Sequence, residues 1–370
     1  MSDQTKTVLR RTLIAFVALY IVFLVGPTAG FDVPAIAKQI QAGPIQLIQF
    51  LIVGISNGAI LAIIALGYTM VYGIIELINF AHGDLYMWGV FSSLTILSLT
   101  GTLTTNNPTH LIWGIAVALV FAVVFCASVN VVIERLAYRH LRHSGRLAPL
   151  ISAIGMSFTL ENLGLIWAQQ SWLVPSFGTT GGASQKDYPD LLSRLFQGLG
   201  YNVNLLASTG IGLRFTIKDL LVIVIAAVLM IGLRLFIQNT TLGKAMRATA
   251  QSHDAARMMG IDIDRVISAT FLIGGGLAGA AGLMDGLYNG TAWWFMGFRV
   301  GLFAFTAAVL GGIGNITGAM AGGFIIGLMA SFSDGYLNAR WTEAWIFAVL
   351  VLILTLKPTG LFGEQVGEKA

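Results

Sequence analysis

The stretch Gln238–Arg265, QNTTLGKAMRATAQSHDAARMMGIDIDR, is the longest run in the second half of the chain that is too polar to lie within a bilayer. It stands between two apolar runs that could cross one. Most residues from 243 to 259 are good helix formers. Thr240 or Thr241 occupies the position of an N-cap, and Gly260 stands where helices commonly end in a left-handed residue. This polar segment therefore predicts one short helix held against a membrane surface.

Small side chains in the polar segment would allow another protein to approach closely. They are Ala245, Ala248, Ala250, Ala255 and Ala256. Arg247 and Arg257 would border such a contact. An ordinary connecting helix is the other interpretation of the same composition.

The composition of the whole chain is that of an integral membrane protein. Of its 370 residues, 56% are hydrophobic and 10% are charged, against roughly a quarter charged in typical soluble domains. The formal charge of +4 does not indicate nucleic-acid binding, because the basic residues adjoin apolar runs, where they orient a membrane protein. The single cysteine, Cys126, excludes a disulfide within the chain.

Ten apolar runs are candidate membrane spans. They are Leu13–Gly26, Ile45–Leu66, Leu85–Leu99, Leu111–Ile133, Leu147–Trp167, Ile217–Ile237, Val266–Leu287, Val300–Ile313, Ile316–Phe332 and Trp345–Leu356. Several are shorter than the roughly 20 residues that a spanning helix needs, so an all-α bundle of eight to ten transmembrane helices is expected in one domain, residues 1–370. The first run follows basic residues, as in a signal peptide. No Ala-x-Ala cleavage site comes after it, which favours an uncleaved span within residues 1–44.

The positions of lysine and arginine predict the orientation. With ten crossings and an inner N-terminus, 14 of the 21 basic residues lie on inner segments, which favours two cytoplasmic termini. The polar segment and the basic loop Glu134–Arg146 then face the cytoplasm. The largest outer piece is Ser171–Thr216, an extracytoplasmic loop that could cover an outer mouth or merely connect two spans.

A second polar interruption, Tyr68–Asp84 (YTMVYGIIELINFAHGD), places Glu76, Asn79 and Asp84 among apolar residues. Irregular backbone at membrane depth is tolerated only where it is buried in protein or lines a wet cavity. The pattern therefore predicts a broken helix that lines a path for a polar solute. Asp84 is expected to cap a helix from Leu85, and Asn79 to bond freed backbone groups. A capped turn at the cytoplasmic interface is the alternative.

Glycines mark two places where the backbone turns or approaches another closely. Gly83 lies within the interruption and offers the chain a place to turn. The stretch Gly311–Gly327 holds seven glycines around Asn315 and Thr317. Such small residues predict close packing between helices.

Glu161 and Asn162 are polar residues within an apolar run. Ionisable groups in hydrocarbon are costly and usually face protein or a cavity. These two residues therefore join Glu76, Asn79 and Asp84 as candidates for the solute path.

The sequence contains neither a P-loop nor a G-x-S-x-G nucleophile motif. His140 and His143 have helical spacing but no carboxylate or cysteine partners nearby, which favours a solvated face over a metal site. We therefore expect no enzyme, no catalytic residue, no metal and no cofactor.

The stretch DAARMMG, Asp254–Gly260, resembles the Glu-Ala-Ala-x-x-x-Gly loop of permease subunits in bacterial ABC importers, with Asp in place of Glu. The Ile-x-Leu-Pro that ends the wider pattern is absent. Three further stretches resemble the permeases of branched-chain amino-acid ABC importers. They are GYTMVYGIIELINFAHGD (67–84), FTAAVLGGIGNITGAMAGGFIIG (305–327) and LKPTGLFG (356–363).

This resemblance implies a permease subunit in the bacterial inner membrane. Such a subunit takes solute from an external binding protein and passes it inward when two cytoplasmic ATPase subunits close. It also implies a second, usually different, permease subunit. The residues implied in ATPase coupling are Asp254, Ala255, Ala256, Arg257, Gly260 and Arg247.

Neutral amino acids, branched-chain or aliphatic, are the expected solutes, because nothing within the spans forms a strong trap of fixed charge. Urea and short amides, which relatives in this family carry, are an alternative, since substrate does not follow from fold. An ion-coupled secondary transporter is a further alternative. Glu161 could carry its ion, although such a transporter would not need the polar segment.

Overall fold

The computed structural model describes residues 43–75, 77–142, 144–145, 147–174, 181–207, 210 and 212–363. The predicted first span, Leu13–Gly26, and the path candidate Glu76 lie outside the described residues. Within the described ranges the protein is mainly helical, with almost no sheet.

Twelve α-helices and one small antiparallel sheet make up the described part of the chain. The helices are α1 (Pro44–Ile75), α2 (Ala81–Leu99), α3 (Pro108–Ile133), α4 (Leu147–Trp167), α5 (Leu191–Gly198), α6 (Ile217–Asn239), α7 (Thr241–Gln251), α8 (His253–Met258), α9 (Ile263–Asn289), α10 (Met296–Gly311), α11 (Ile316–Tyr336) and α12 (Thr342–Leu356). The strands are β1 (Lys186–Asp187) and β2 (Thr291–Ala292). A π-helical turn, Glu134–Tyr138, extends α3.

Seven of the described helical segments are long and apolar enough to cross a membrane, and α10, with 16 residues, is a shorter apolar helix. Of the nine apolar runs predicted after residue 43, eight lie within a helix. The predicted span Val300–Ile313 extends two residues too far, because α10 ends at Gly311. Gly312 follows with φ +104°, a backbone angle that glycine adopts readily. The prediction of an all-α, multi-pass membrane protein is confirmed.

The core of the molecule lies around α1, α9 and α11. In the most apolar 18-residue stretches of α1 and α9, 67% and 78% of the residues are buried within the chain. The corresponding value for the helical segment that contains α12 is 17%. A Cβ added at Gly323 of α11 would overlap the Cα of Ala62 in α1. One added at Gly327 would overlap the Cα of Gly58. The close packing predicted for Gly311–Gly327 is therefore confirmed.

The expected outer loop, Ser171–Thr216, packs against the helical body over its described part. β1 pairs antiparallel with β2, so that Lys186 lies opposite Ala292. Tyr188 and Leu191, which follow β1, are buried. The strand pair thus holds this piece against the connection between α9 and α10.

Candidate functional site

The polar segment forms two helices, α7 and α8, where one was predicted. Thr240 caps α7 by accepting a hydrogen bond from the Gly243 N–H (3.0 Å). Ser252 has an extended backbone (φ −161°, ψ 120°), and its hydroxyl accepts a hydrogen bond from the Ala255 N–H (3.3 Å), which caps α8. Serine interrupts helices in this way because its short side chain reaches a nearby N–H. The single-helix prediction is therefore wrong at Ser252, whereas the left-handed Gly260 (φ +79°) is confirmed.

The inner face of the polar segment is fixed to the body of the molecule. Met246 and Ala256 are 3% and 2% exposed. A ring nitrogen of His253 lies within hydrogen-bonding distance, 2.8 Å, of the Ile74 carbonyl oxygen in the last turn of α1. A cavity of about 90 Å³ between α7 and α1 is closed on one side by Gly314, in the connection from α10 to α11. The polar segment therefore contacts α1 at the point where that helix ends.

The outer face of the polar segment carries most of the residues expected to contact another protein. Arg247, Asp254, Ala255, Arg257 and Gly260 are exposed. Ala256 is instead turned inward. Met258 and Met259 are each 82% exposed, more than any other large hydrophobic side chain in the described ranges. Exposed methionines suit a protein contact because the side chain is both apolar and adaptable. This exposed pair was not predicted from the sequence, although two adjacent methionines just before the predicted helix end at Gly260 could have indicated it.

The helix break lies where the sequence predicts it, but it is shorter. α1 ends at Ile75, residues 77–79 are non-helical, and α2 begins at Ala81. Asp84 therefore lies inside the first turn of α2 and does not cap a helix from Leu85. The N-cap position of α2 makes no side-chain cap bond. The capping prediction is wrong because the helix starts four residues earlier than expected.

Asn79 lies in the break and is 4% exposed. Its side-chain oxygen accepts a hydrogen bond from the Tyr138 hydroxyl (2.7 Å), in the π-helical turn after α3. Its amide nitrogen has no partner among the described residues. The Asn79 side chain thus ties the break to α3, and the prediction that it bonds freed backbone groups is wrong. The main-chain oxygen of Asn79 accepts the His82 N–H instead (3.1 Å).

Asp84, Ser157 and Glu161 form a buried carboxylate cluster between α2 and α4. The Ser157 hydroxyl donates to one carboxylate oxygen of Asp84 (2.5 Å). Glu161 lies one turn further along α4, and the three residues are 0%, 5% and 3% exposed in the order named. One oxygen of each carboxyl group has no partner among the residues that the structure describes. Asn162 is exposed and bonds the Phe158 carbonyl of its own helix (2.7 Å), so it does not join the cluster.

The polar segment and the carboxylate cluster lie on the two sides of the break. The contact between His253 and Ile74 adjoins its start, and Asp84 stands in the first helical turn after it. Sequence reasoning missed His253, Ser157 and Tyr138. No local pattern marks these residues, since each acts through a contact with a distant part of the chain.

These features define a class of protein: a multi-pass helical membrane protein with a short non-helical break between α1 and α2 and an exposed two-helix segment beside the break. Residues 50–354 match the family model for the permease component of the branched-chain amino acid transport system. The chain belongs to this family, and the resemblance inferred from its motifs is confirmed.

Curated relatives match along most of the chain. The high-affinity branched-chain amino acid transport system permease protein LivH of Escherichia coli K12 is 37% identical over 325 residues, which cover 88% of this chain and 98% of the relative. The corresponding BraD protein of Pseudomonas aeruginosa is 37% identical over 325 residues, with 87% and 97% covered. A probable LivH of Methanocaldococcus jannaschii is 27% identical over 316 residues, with 82% and 89% covered. No solved structure matches the chain at a significant level.

Proposed function

We propose that the protein is a permease subunit of a bacterial ABC importer for neutral amino acids, branched-chain or aliphatic. Family membership and the transport functions named for LivH and BraD support this assignment. The subunit is not itself an enzyme, because two separate cytoplasmic ATPase subunits hydrolyse ATP. It lies in the inner membrane with both termini in the cytoplasm, the orientation that its lysines and arginines favour. An extracytoplasmic binding protein delivers the solute, and a second, different permease subunit completes the path.

The contact between His253 and Ile74 is the observation that carries the mechanism. It joins the polar segment to α1 one residue before that helix ends at Ile75. A displacement of α8 by a partner therefore reaches the end of α1 through a hydrogen bond and the packing of Met246. A break in a helix is a place where such a displacement can be taken up by a few backbone angles.

The ATPase subunits bind the outer face of α7 and α8. Met258 and Met259 supply the apolar centre of this contact, and Arg247, Asp254 and Arg257 supply its polar rim. Ala255 and Gly260 allow close approach. Ala256 contributes from inside, by packing α8 against the body of the permease.

The solute path runs beside the break. Asn79 belongs to the break itself, and Asp84 and Glu161 stand in the buried carboxylate cluster just beyond it. Glu76 is assigned to the path from its place in the sequence alone. A shift of α2 relative to α4 would change the bond between Ser157 and Asp84, so the cluster is placed to respond when the break moves. Asn162 is exposed and faces outward from this chain.

Uptake by the reconstituted complex tests the proposed function. Labelled leucine should enter proteoliposomes only with ATP and the binding protein. The double substitution Met258→Ser/Met259→Ser should weaken ATPase binding and lower uptake, whereas Leu199→Ser, which changes another exposed apolar side chain (47%), should not. Transport of urea but not leucine would place the chain in the other branch of the family. Uptake driven by an ion gradient without ATP would refute the proposal.

A further inference from the structure

An open cavity of about 190 Å³ lies beside the first turns of α10 and α12, away from the polar segment. Its apolar wall consists of Trp293, Phe295, Phe298, Leu302, Phe303 and Phe347. Pockets for drug-sized ligands occupy roughly 300–1,000 Å³, so this cavity suits a smaller solute.

One ion pair supplies the charge in this cavity. The Arg299 Nε lies 2.8 Å from a Glu343 carboxylate oxygen, and the two side chains are 47% and 54% exposed. The Arg299 guanidinium carbon also lies 5.8 Å from the centre of the Phe303 ring. Within the described ranges, the two terminal nitrogens of Arg299 and the second oxygen of Glu343 make no further hydrogen bond. Both charged groups therefore keep open positions for a ligand.

We propose that this cavity binds an aliphatic amino acid in its zwitterionic form. The inference rests on the proposed function and names the chemistry by which the permease itself would recognise its solute. The free edge of the Arg299 guanidinium matches a carboxylate, which it can hold through two parallel hydrogen bonds. The free oxygen of Glu343 accepts a bond from the ammonium group, and the neighbouring aromatic faces attract the same positive charge. The apolar wall receives the side chain.

The charge balance of the cavity selects a zwitterion. The pair of Arg299 and Glu343 is neutral as a whole, so a ligand with both charges satisfies both groups, whereas an amine or an acid alone satisfies only one. A half-exposed ion pair contributes little to stability, so it can open to admit a ligand. Such weak binding also suits a solute that must leave again.

Protection of a cysteine in the cavity wall tests the proposal. In the full-length chain with Cys126→Ala, Phe347→Cys places a single thiol beside the cavity. L-Leucine should slow its labelling by a methanethiosulfonate several-fold. Isopentylamine and 4-methylpentanoate, which each keep one charged group of leucine, should not. A thiol at Tyr201→Cys, in the expected outer loop and 63% exposed, should label at the same rate with or without leucine.

The charged residues are tested in the same background. Arg299→Gln and Glu343→Gln should each abolish protection by leucine, while Arg299→Lys should retain part of it. Two results would overturn the proposal: leucine does not slow labelling of the thiol at position 347, or protection survives both glutamine substitutions. The aromatic residues would then be anchors in the membrane interface. ATP-driven leucine uptake measured in parallel separates the two claims. If leucine is taken up but does not protect the thiol at position 347, only the proposal for this cavity is refuted. If leucine is not taken up, the proposed function is refuted.

Discussion

Replacing Gly260 by valine should uncouple the permease from its ATPase without unfolding it. Gly260 has φ +79°, and a Cβ added there would meet nothing within 4 Å. The cost is therefore one of backbone strain alone, about 1–2 kcal/mol for a non-glycine residue in the left-handed region. A cost of that size changes a two-state population by a factor of roughly 5 to 30. Because Gly260 ends the polar segment, the strain should displace the exposed methionines beside it.

ATP-driven leucine uptake at equal membrane abundance measures this effect. Gly260→Val should lower uptake several-fold, and Gly260→Asn should lower it less, since asparagine tolerates the left-handed region better. Gly212 is a matched control, with the same φ of +79° and equally open space, in a part of the chain remote from the polar segment. Gly212→Val should carry the same strain but leave uptake unchanged. Wild-type uptake by Gly260→Val, or an equal loss in Gly212→Val, would refute the reasoning.

Two predictions concern stability, measured as the thermal unfolding of the purified protein. Ser157→Ala removes the hydrogen bond between Ser157 and the buried Asp84 and should cost about 1–3 kcal/mol, the range for leaving a buried polar atom without a partner. Thr159→Ala, on the exposed side of the same helix, should change stability by less than about 0.5 kcal/mol, and equal stability of the two variants would contradict the cluster. Gly327→Ala forces a Cβ into the backbone of α1 and should cost about 1–3 kcal/mol. Gly155→Ala, where a Cβ meets nothing within 4 Å, should instead gain up to about 1 kcal/mol in helix propensity, so the Gly327 prediction fails if both variants are equally stable.

Local signals in the sequence predicted local structure well. The apolar runs, the loss of helical structure at residues 77–79 and the left-handed Gly260 each depend on the residues next to them. Ser252 also acts locally, but good helix formers on both sides of it concealed the break between α7 and α8.

Contacts between distant segments could not be predicted in the same way. Gly83 was expected to let the chain turn, yet it lies inside α2, where a Cβ would come 2.6 Å from the Gly301 Cα of α10. Its small size serves the close approach of two helices. Asp84 was interpreted as a helix cap because its actual partner, Ser157, is 73 residues away in the chain and cannot be identified from neighbouring residues.

The central claim is that the nucleotide state of the ATPase subunits reaches the helix break through the polar segment. Labelling of a cysteine at position 79, with Cys126 replaced by alanine, tests it in membranes that contain the complete complex. A non-hydrolysable ATP analogue should change the labelling rate of Asn79→Cys, and the additional substitution His253→Ala, which removes the contact with Ile74, should abolish that change. Labelling that is the same with and without nucleotide, and only from the cytoplasmic side, would contradict the account and reduce the break to a turn at the membrane interface.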